Sequence, residues 1–375
     1  MKKIVAMILA AAMVLCLAAC GGSSAPAETK AAAPAETKAA APAETKAPET
    51  EAPALIKVGV INNDPNESGY RTANDRAMRE TFTAENGYDA TFYNNNDAAQ
   101  QIATAQQMIQ DEVDYLLLSP GSTTGWDTVL KDAQDAGTQV ILFDRMLEAD
   151  DSMFVAAVVS DMAKEGTTAV EWLAAQGLSE YNIIHIQGHM GSDAQVGRTG
   201  ALDEKVAAED SWNYVAQQTA DWDEATAQQI TQSVIDSGKS FNVIYAENDG
   251  MARGAVAALD AAGITHGVDG DVIVMGFDCN KCALEELLAG RWNYDGQCNP
   301  FQATVVDSII KDMEAGKAPT EKIIYNPEQG FDAKTITQAD VDQYGICSLE
   351  SIGARGRMQK SAPRVPFLRN PWNQN

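Results

Sequence analysis

The amino-acid sequence predicts an α/β protein with two doubly wound, Rossmann-like lobes, each built on a parallel sheet. Short apolar runs without polar alternation are separated by longer segments of helical spacing, from Leu55 to Phe143. The same pattern starts again near Met153 and continues to Met275. Strands without alternation are buried on both faces, which is typical of a parallel sheet covered by helices. The length of 375 residues leaves room for two such lobes.

The first series contains four predicted strands separated by three predicted helices. The strands cover 56–61, 90–93, 115–118 and 140–143, and the helices cover 69–85, 98–110 and 126–136. In the helix over 98–110, Ile102, Ala105 and Ile109 recur at the spacing of one helical face. Gly137 follows the third helix at the position where a helix commonly stops.

The second series repeats this order. Predicted strands lie at 153–159, 183–186, 214–215, 243–245 and 272–275, and predicted helices at 164–175, 196–208, 224–236 and 250–262. Gly263 follows the last of these helices, again as a stop signal. Two such series predict two doubly wound units, in which ligands bind beyond the carboxyl ends of the strands.

Composition excludes several classes of function. The chain has 27 basic and 53 acidic side chains and a net charge of −26. Nucleic-acid binding needs a basic face, so this balance argues against it, and it also disfavours docking of the protein surface on anionic lipid. Six cysteines are too few for a disulfide scaffold in a chain of this length.

The two termini do not belong to the predicted fold. Residues 1–19 combine Lys2 and Lys3 with an apolar run and then Leu-Ala-Ala before Cys20, which resembles a bacterial lipobox. The resemblance implies a lipoprotein signal peptide over 1–19 and lipidation of Cys20 on the extracytoplasmic face of the cell membrane, at the cell surface or in the periplasm. An ordinary signal peptide with an incidental cysteine is the alternative.

Two further segments are predicted to lie outside the core. Residues 20–54 repeat Ala-Pro-Ala-Glu-Thr-Lys and lack the apolar side chains that folding requires, so they predict a disordered tether. Residues 347–375 form a basic tail, which carries five Lys or Arg and no acidic residue from Ser351 onward. We have no functional interpretation of this tail.

Polar side chains gather where predicted strands end. Residues 62–67 follow the first strand, Asp144 and Arg145 follow the strand over 140–143, Asn248 follows 243–245, and Asp278 follows 272–275. Parallel strands end at one edge of the sheet, so these residues predict the floor of a cleft. Carboxylates, amides and guanidinium groups together suit a neutral polyol, because each hydroxyl both donates and accepts hydrogen bonds.

At these residues the sequence resembles the type I periplasmic binding proteins that serve sugar ABC transporters, and most of all the galactofuranose-binding branch. The resemblance covers about 56–346, and its segments are 67–73, 124–126, 143–145, 187–198 and 245–249. Two positions depart from the branch. Tyr70 stands where the branch often has Trp, and Cys279 stands where Gly is common.

The resemblance implies two lobes joined by a three-crossing hinge that closes around a ligand. The first lobe is expected over 55–158 and 298–318, and the second over 159–297 and 319–346. The sugar-binding residues that the resemblance implies are Glu67, Tyr70, Arg71, Asp144, Arg145, Arg198, Trp222, Asn248, Asp278 and Asn299.

Each of these assignments has a structural alternative. Asp144 and Arg145 are a surface ion pair in the alternative interpretation, and Asn248 only caps a helix. Tyr70 and Trp222 are then aromatic residues of the core. No catalytic residue, cofactor or metal ion is expected.

The remaining cysteines, Cys279, Cys282, Cys298 and Cys347, leave alternatives open. The spacing of Cys279 and Cys282 is compatible with a redox pair or with half of a zinc site, for which Cys298 is the only obvious third ligand. Packing, or one structural disulfide, is favoured in an exported protein. Four cysteines allow three complete pairings, between which the sequence does not choose.

The resulting hypothesis is a monomeric, lipid-anchored solute-binding protein that captures a monosaccharide, galactofuranose-like or another hexose or pentose, and delivers it to an ABC transporter permease. A sugar or autoinducer receptor of the same fold, coupled to a sensor kinase or chemoreceptor, is the alternative. An exported glycosidase is disfavoured, since the sequence has no Gly-x-Ser-x-Gly or His-Glu-x-x-His motif.

Overall fold

Two six-stranded sheets flanked by helices organise the chain, and the computed structural model describes residues 54–346. The predicted signal peptide, Cys20, all but the last residue of the predicted tether, Cys347 and the basic tail lie outside the described residues. Across the described part of the chain, no helix has both the length and the apolar character that a bilayer crossing requires.

The strands of residues 54–346 are β1 (Ile56–Asn62), β2 (Tyr88–Asn94), β3 (Tyr115–Leu118), β4 (Gln139–Asp144), β5 (Ala156–Val159), β6 (Tyr181–Gln187), β7 (Trp212–Thr219), β8 (Val243–Ala246), β9 (Ile273–Phe277), β10 (Tyr294–Gly296), β11 (Ile323–Tyr325) and β12 (Gly330–Asp332). The helices are α1 (Gly69–Thr81), α2 (Ala98–Gln110), α3 (Asp127–Ala136), α4 (Met162–Ala174), α5 (Asp193–Ala208), α6 (Glu224–Asp236), α7 (Asp249–Ala262), α8 (Lys281–Leu288), α9 (Ala303–Glu314) and α10 (Gln338–Tyr344). Two short 3-10 turns cover Ala84–Asn86 and Asp151–Met153.

The topology confirms the predicted α/β fold with two parallel-dominated sheets. The first sheet has the strand order β11-β5-β4-β3-β1-β2, and every pairing in it is parallel. The second has the order β12-β10-β9-β8-β6-β7, with only the β10–β12 pair antiparallel. Strand order reverses beside β1 and beside β6, which marks the edge where doubly wound sheets bind ligands.

Local sequence signals explain where the helices begin and end. The Asp97 side chain accepts hydrogen bonds from the first backbone N–H groups of α2, and Ser68 accepts one from Arg71 in α1. Gly137 and Gly263 end α3 and α7 in the left-handed conformation that glycine adopts without strain. The helices then cover both faces of strands such as β3, whose four residues are all buried.

The chain crosses between the two sheets three times, at about 160–161, 297–302 and 326–329. The first two crossings lie near the expected lobe boundaries. The third differs, because residues from 319 onward were expected in the second lobe, whereas β11 pairs with β5 of the first sheet. Ile323 and Ile324 pack against the two apolar clusters of that sheet, so β11 covers an edge that would otherwise be open.

Candidate ligand-binding site

A small cavity lies between the two lobes, where the carboxyl ends of their strands face each other. Its lining consists of Glu67, Ser68, Tyr70, Arg71, Asp144, Arg145, Met162, Ala194, Arg198, Trp222, Asn248, Asp278 and Cys298. The structure therefore brings nine of the ten predicted contact residues to one cavity. The tenth, Asn299, lies outside this lining, where its backbone N–H donates to Glu328 Oε1 at 2.6 Å.

Asp144 is the centre of the polar network on the first lobe. As the last residue of β4, it accepts hydrogen bonds from the Tyr70 hydroxyl at 2.6 Å and from Ser119 Oγ at 2.7 Å. Its Oδ2 also lies 2.6 Å from Arg71 Nη1. Burial raises the pKa of Asp144, but Arg71 and Arg145 outweigh it, so the pKa lies below its usual value. Asp144 is therefore an anion at neutral pH.

The two first-lobe arginines share their carboxylate partners. Arg145 Nη2 lies 3.2 Å from Glu67 Oε1, which also lies 3.7 Å from Arg71 Nε. Arg145 Nε lies 3.7 Å from Asp144 Oδ2. Asp144 and Arg145 are 1% and 3% exposed, which argues against the surface ion pair of the alternative interpretation.

Arg198 of α5 is the corresponding cation of the second lobe. Its Nε donates to Glu165 Oε2 at 2.8 Å, its Nη1 donates to the backbone oxygen of Glu247, and its Nη2 lies 3.4 Å from Asp278 Oδ1. Burial raises the pKa of Asp278, and the neighbouring Arg198 only partly offsets it. The guanidinium is thus held in place by three groups while it remains part of the cavity lining.

Trp222 and Asn248 form the remaining wall on the second lobe. The Asn248 side chain caps α7 by accepting from the Met251 N–H at 2.7 Å, and its Nδ2 donates to the backbone oxygen of Trp222 at 3.4 Å. Asn248 therefore combines the helix-capping geometry with a place in the cavity lining. The Trp222 ring lies 6.0 Å from the guanidinium carbon of Arg145, within reach of a cation–π contact.

Two buried N–H donors of the lining have no hydrogen-bond partner among the described residues, Trp222 Nε1 and Arg71 Nε. Buried donors are almost always paired in folded proteins, so each unpaired one calls for an explanation. Both belong to residues that line the same cavity. A ligand with acceptor oxygens would satisfy them.

The backbone is strained at three lining residues. Asp144, Trp222 and Asp278 have φ angles of 67°, 68° and 105°, in a region that side-chain-bearing residues seldom adopt. Such strain is concentrated at functional sites. Cys279, with φ of 60°, is also left-handed, which fits the glycine that is common there in the branch that this sequence resembles.

The two lobes also contact each other directly beside the cavity. The Met146 N–H of the first lobe donates to Asp193 Oδ2 at 2.8 Å, and the Thr123 N–H donates to the Gly191 oxygen at 3.0 Å. Burial raises the pKa of Asp193 to about 6, although the hydrogen bond from Met146 opposes the shift. The cleft is therefore closed in this structure.

Sequence reasoning missed four lining residues, Ser68, Met162, Ala194 and Cys298. Met162 and Ala194 stand in the first turns of α4 and α5, which follow strands at the cleft edge, so the strand-end rule could have found them. Cys279 and Cys298 are both buried thiols and are not joined to each other. Any bond to Cys347 lies outside the described residues.

Comparisons with known proteins identify the family of this chain. A family model described as a periplasmic binding protein domain matches residues 58–307. The chain is 29% identical over 346 residues to the fructose import binding protein of Bifidobacterium longum, covering 90% of this chain and 96% of that protein. It is 26% identical over 239 residues to the galactofuranose-binding protein of Escherichia coli, covering 61% and 74%.

A solved structure from Mycobacterium smegmatis in complex with β-D-fucofuranose is 30% identical to this chain, with a TM-score of 0.69. The similarity covers 77% of this chain and 93% of that one. Since the family model matches more than half of the sequence and the sheets have the expected topology, the chain belongs to the periplasmic binding protein family and has its two-lobed type I fold.

Proposed function

We propose that this protein captures one neutral monosaccharide, in its five-membered ring form, between its two lobes and presents it to an ABC transporter permease. The observation that carries the proposal is that Trp222 Nε1 and Arg71 Nε, both of residues that line the closed cavity, have no hydrogen-bond partner among the described residues. Sugar hydroxyl or ring oxygens are suitable acceptors for both.

The charges of the lining favour a neutral ligand. Three arginines face three carboxylates, since the charged lining residues are Glu67, Arg71, Asp144, Arg145, Arg198 and Asp278. Each arginine lies within 4 Å of at least one of these carboxylates. An ionic ligand would lose its hydration without meeting an uncompensated charge, which is costly.

The known relatives support a single small ring. The relatives described above include a fructose import binding protein and a galactofuranose-binding protein, and the 30% identical structure holds a furanose. We therefore favour a furanose for this chain.

A thermal-shift screen of the full chain tests the proposal. The panel is D-fructose, D-ribose, D-galactose and myo-inositol, with galacturonate as the charged comparison. A neutral ligand at ~1,000 times its Kd should stabilise the folded state by about 4 kcal/mol. Arg145→Ala should abolish the shift, whereas Arg76→Ala, an exposed arginine of α1, should retain it. A larger shift with galacturonate, or no shift with any neutral sugar, would count against the proposal.

We also propose that a lipid on Cys20 holds the protein at the extracytoplasmic face of the membrane. The support is the order of charged, apolar and small residues before Cys20, and two acyl chains suffice for stable anchoring. In cell fractionation, Cys20→Ser should move the protein from the membrane to the soluble fraction. Cys16→Ser, in the same leader, is the matched control. Unchanged membrane association of the Cys20 variant would contradict lipidation.

A further inference from the structure

A second cluster of polar side chains lies at the hinge. Glu165 of α4, Cys298 of the second crossing and Glu328 of the third crossing each place one potential ligand atom within 4.8 Å of the other two. Glu165 and Glu328 also line a separate pocket, whereas Cys298 lines the ligand cavity between the lobes. The cluster therefore lies between the two cavities.

Glu328 connects all three crossings. Its Oε1 accepts hydrogen bonds from Ser160 Oγ of the first crossing and from the Asn299 N–H of the second, both at 2.6 Å. Its Oε2 accepts no hydrogen bond from the described residues. One carboxylate oxygen therefore organises the hinge, and the other remains available to a ligand.

Of the two carboxylate oxygens of Glu165, one is in an ion pair and the other has no hydrogen-bond partner among the described residues. Its Oε2 lies 2.7 Å from Arg198 Nη2. Its Oε1 is buried and has no hydrogen-bond partner among the described residues, although the side chain is only 4% exposed. A buried carboxylate oxygen without a partner is costly unless something else coordinates it.

The donor atoms of the cluster suit a metal ion. Glu328 forms no ion pair within residues 54–346, and burial raises its pKa to about 9, so its carboxyl is neutral at pH 7 until a metal displaces the proton. One sulfur and two carboxylate ligands suit Zn²⁺, which accepts both kinds of ligand, whereas Mg²⁺ and Ca²⁺ take oxygen ligands.

We propose that Glu165, Cys298 and Glu328 form a Zn²⁺ site at the hinge, with water as the fourth ligand. On binding, the Cys298 thiol and the Glu328 carboxyl each release one proton to solvent, and the resulting thiolate and carboxylate coordinate the metal, so no oxidant or reductant is needed. The site joins α4 to the second and third crossings.

Metal titration of the full chain tests the proposal. Co²⁺, as a spectroscopic substitute, should give a thiolate-to-metal charge-transfer band, and calorimetry should show Zn²⁺ binding. Cys298→Ser and Glu328→Gln should each weaken Zn²⁺ binding at least tenfold. The controls are Cys279→Ser, a buried thiol outside the cluster, and Glu321→Gln, an exposed glutamate, which should bind Zn²⁺ as the unsubstituted chain does. Zn²⁺ binding that is unchanged in Cys298→Ser would overturn the proposal.

If circular dichroism shows that a cluster variant does not fold, thiol alkylation of the unsubstituted chain tests the zinc site instead. Peptide mass spectrometry measures the alkylation of each cysteine. Zn²⁺ should slow the alkylation of Cys298 at least tenfold and should leave the alkylation of Cys279 unchanged. Equal alkylation of Cys298 with and without Zn²⁺ would overturn the proposal.

Discussion

Replacing Gly188 by Ala tests whether the Trp222 ring forms the wall of the ligand site. A Cβ at Gly188 would lie 1.9 Å from Trp222 Cη2 and 2.1 Å from Cζ3, far inside van der Waals contact. Gly188 cannot easily retreat, because its N–H donates to Glu247 Oε2 at 2.8 Å and its oxygen accepts from Thr219 Oγ1 at 2.7 Å. The indole must therefore move.

Displacement of the ring should cost the ligand a stacking surface and one hydrogen bond. Each is worth about 1 kcal/mol, so we expect about 2 kcal/mol, or a Kd that is roughly 30-fold weaker. Titration calorimetry with the sugar identified in the thermal-shift screen measures this change. The overpacking should also lower the free energy of unfolding by about 1–3 kcal/mol.

Gly200→Ala is the matched control for Gly188→Ala. Gly200 lies within α5, and a Cβ there would meet no atom within 4 Å outside the helix's own nearby backbone and its chain neighbours. This substitution should leave the affinity unchanged and stabilise the fold by up to about 1 kcal/mol. A folded Gly188→Ala protein that binds the sugar with unchanged affinity would refute the role given to Trp222.

Two further predictions concern the carboxylates of Asp144 and Asp193. Asp144→Asn keeps a residue type that tolerates the left-handed backbone, but it leaves Arg71 without its closest anion. Urea denaturation should therefore show that the free energy of unfolding falls by about 3 kcal/mol. A loss below about 1 kcal/mol would contradict the assigned ion pair. The pKa of Asp193 is raised to about 6 in the folded protein, so folding favours the protonated carboxyl. The stabilisation that Asp193 gives the folded state is fully present below the ordinary aspartate pKa and is lost as pH rises through 6. The stability of the unsubstituted chain relative to Asp193→Asn should therefore fall by about 2 kcal/mol between pH 4 and pH 7, and a difference independent of pH would show that Asp193 is not perturbed.

The long periodic elements could be predicted from the sequence, and the short or capped ones could not. The bounds predicted for the helices over 98–110 and 224–236 agree with α2 and α6. The helix α5 starts at Asp193 rather than at 196, because Ser192 caps it by accepting from the Gln195 N–H, a signal that periodicity ignores. β10, β11 and β12 have three residues each, too few to show any period.

The helix predicted over 69–85 ends early for a similar reason. α1 stops at Thr81, and Thr83 then caps a separate 3-10 turn by accepting from the Asn86 N–H. The sequence places both segments on one helical pattern, because their apolar spacing is continuous. A cap inside the pattern breaks it.

The candidate site was predictable to different degrees. Asp144, Arg145, Asn248 and Asp278 follow from the strand-end rule, because parallel strands bring their carboxyl ends to one edge. Trp222 lies in a loop between β7 and α6, and only the family resemblance suggested it.

The hinge cluster lay beyond sequence reasoning altogether. Its members, Glu165, Cys298 and Glu328, come from three distant segments, and their proximity depends on where the three crossings meet. The sequence offered Cys298 as a third zinc ligand beside Cys279 and Cys282, as a member of a disulfide, or as a packing residue. A position that depends on the closed arrangement of two lobes has no local signature.

The most direct test of the central claim is a crystal structure of the protein with the sugar that gives the largest thermal shift. The account predicts one sugar ring in the cavity between the lobes, with its oxygens within about 3.2 Å of Trp222 Nε1 and Arg71 Nε. A sugar bound elsewhere, with both donors still unpaired, would contradict the assignment of this cavity as the ligand site.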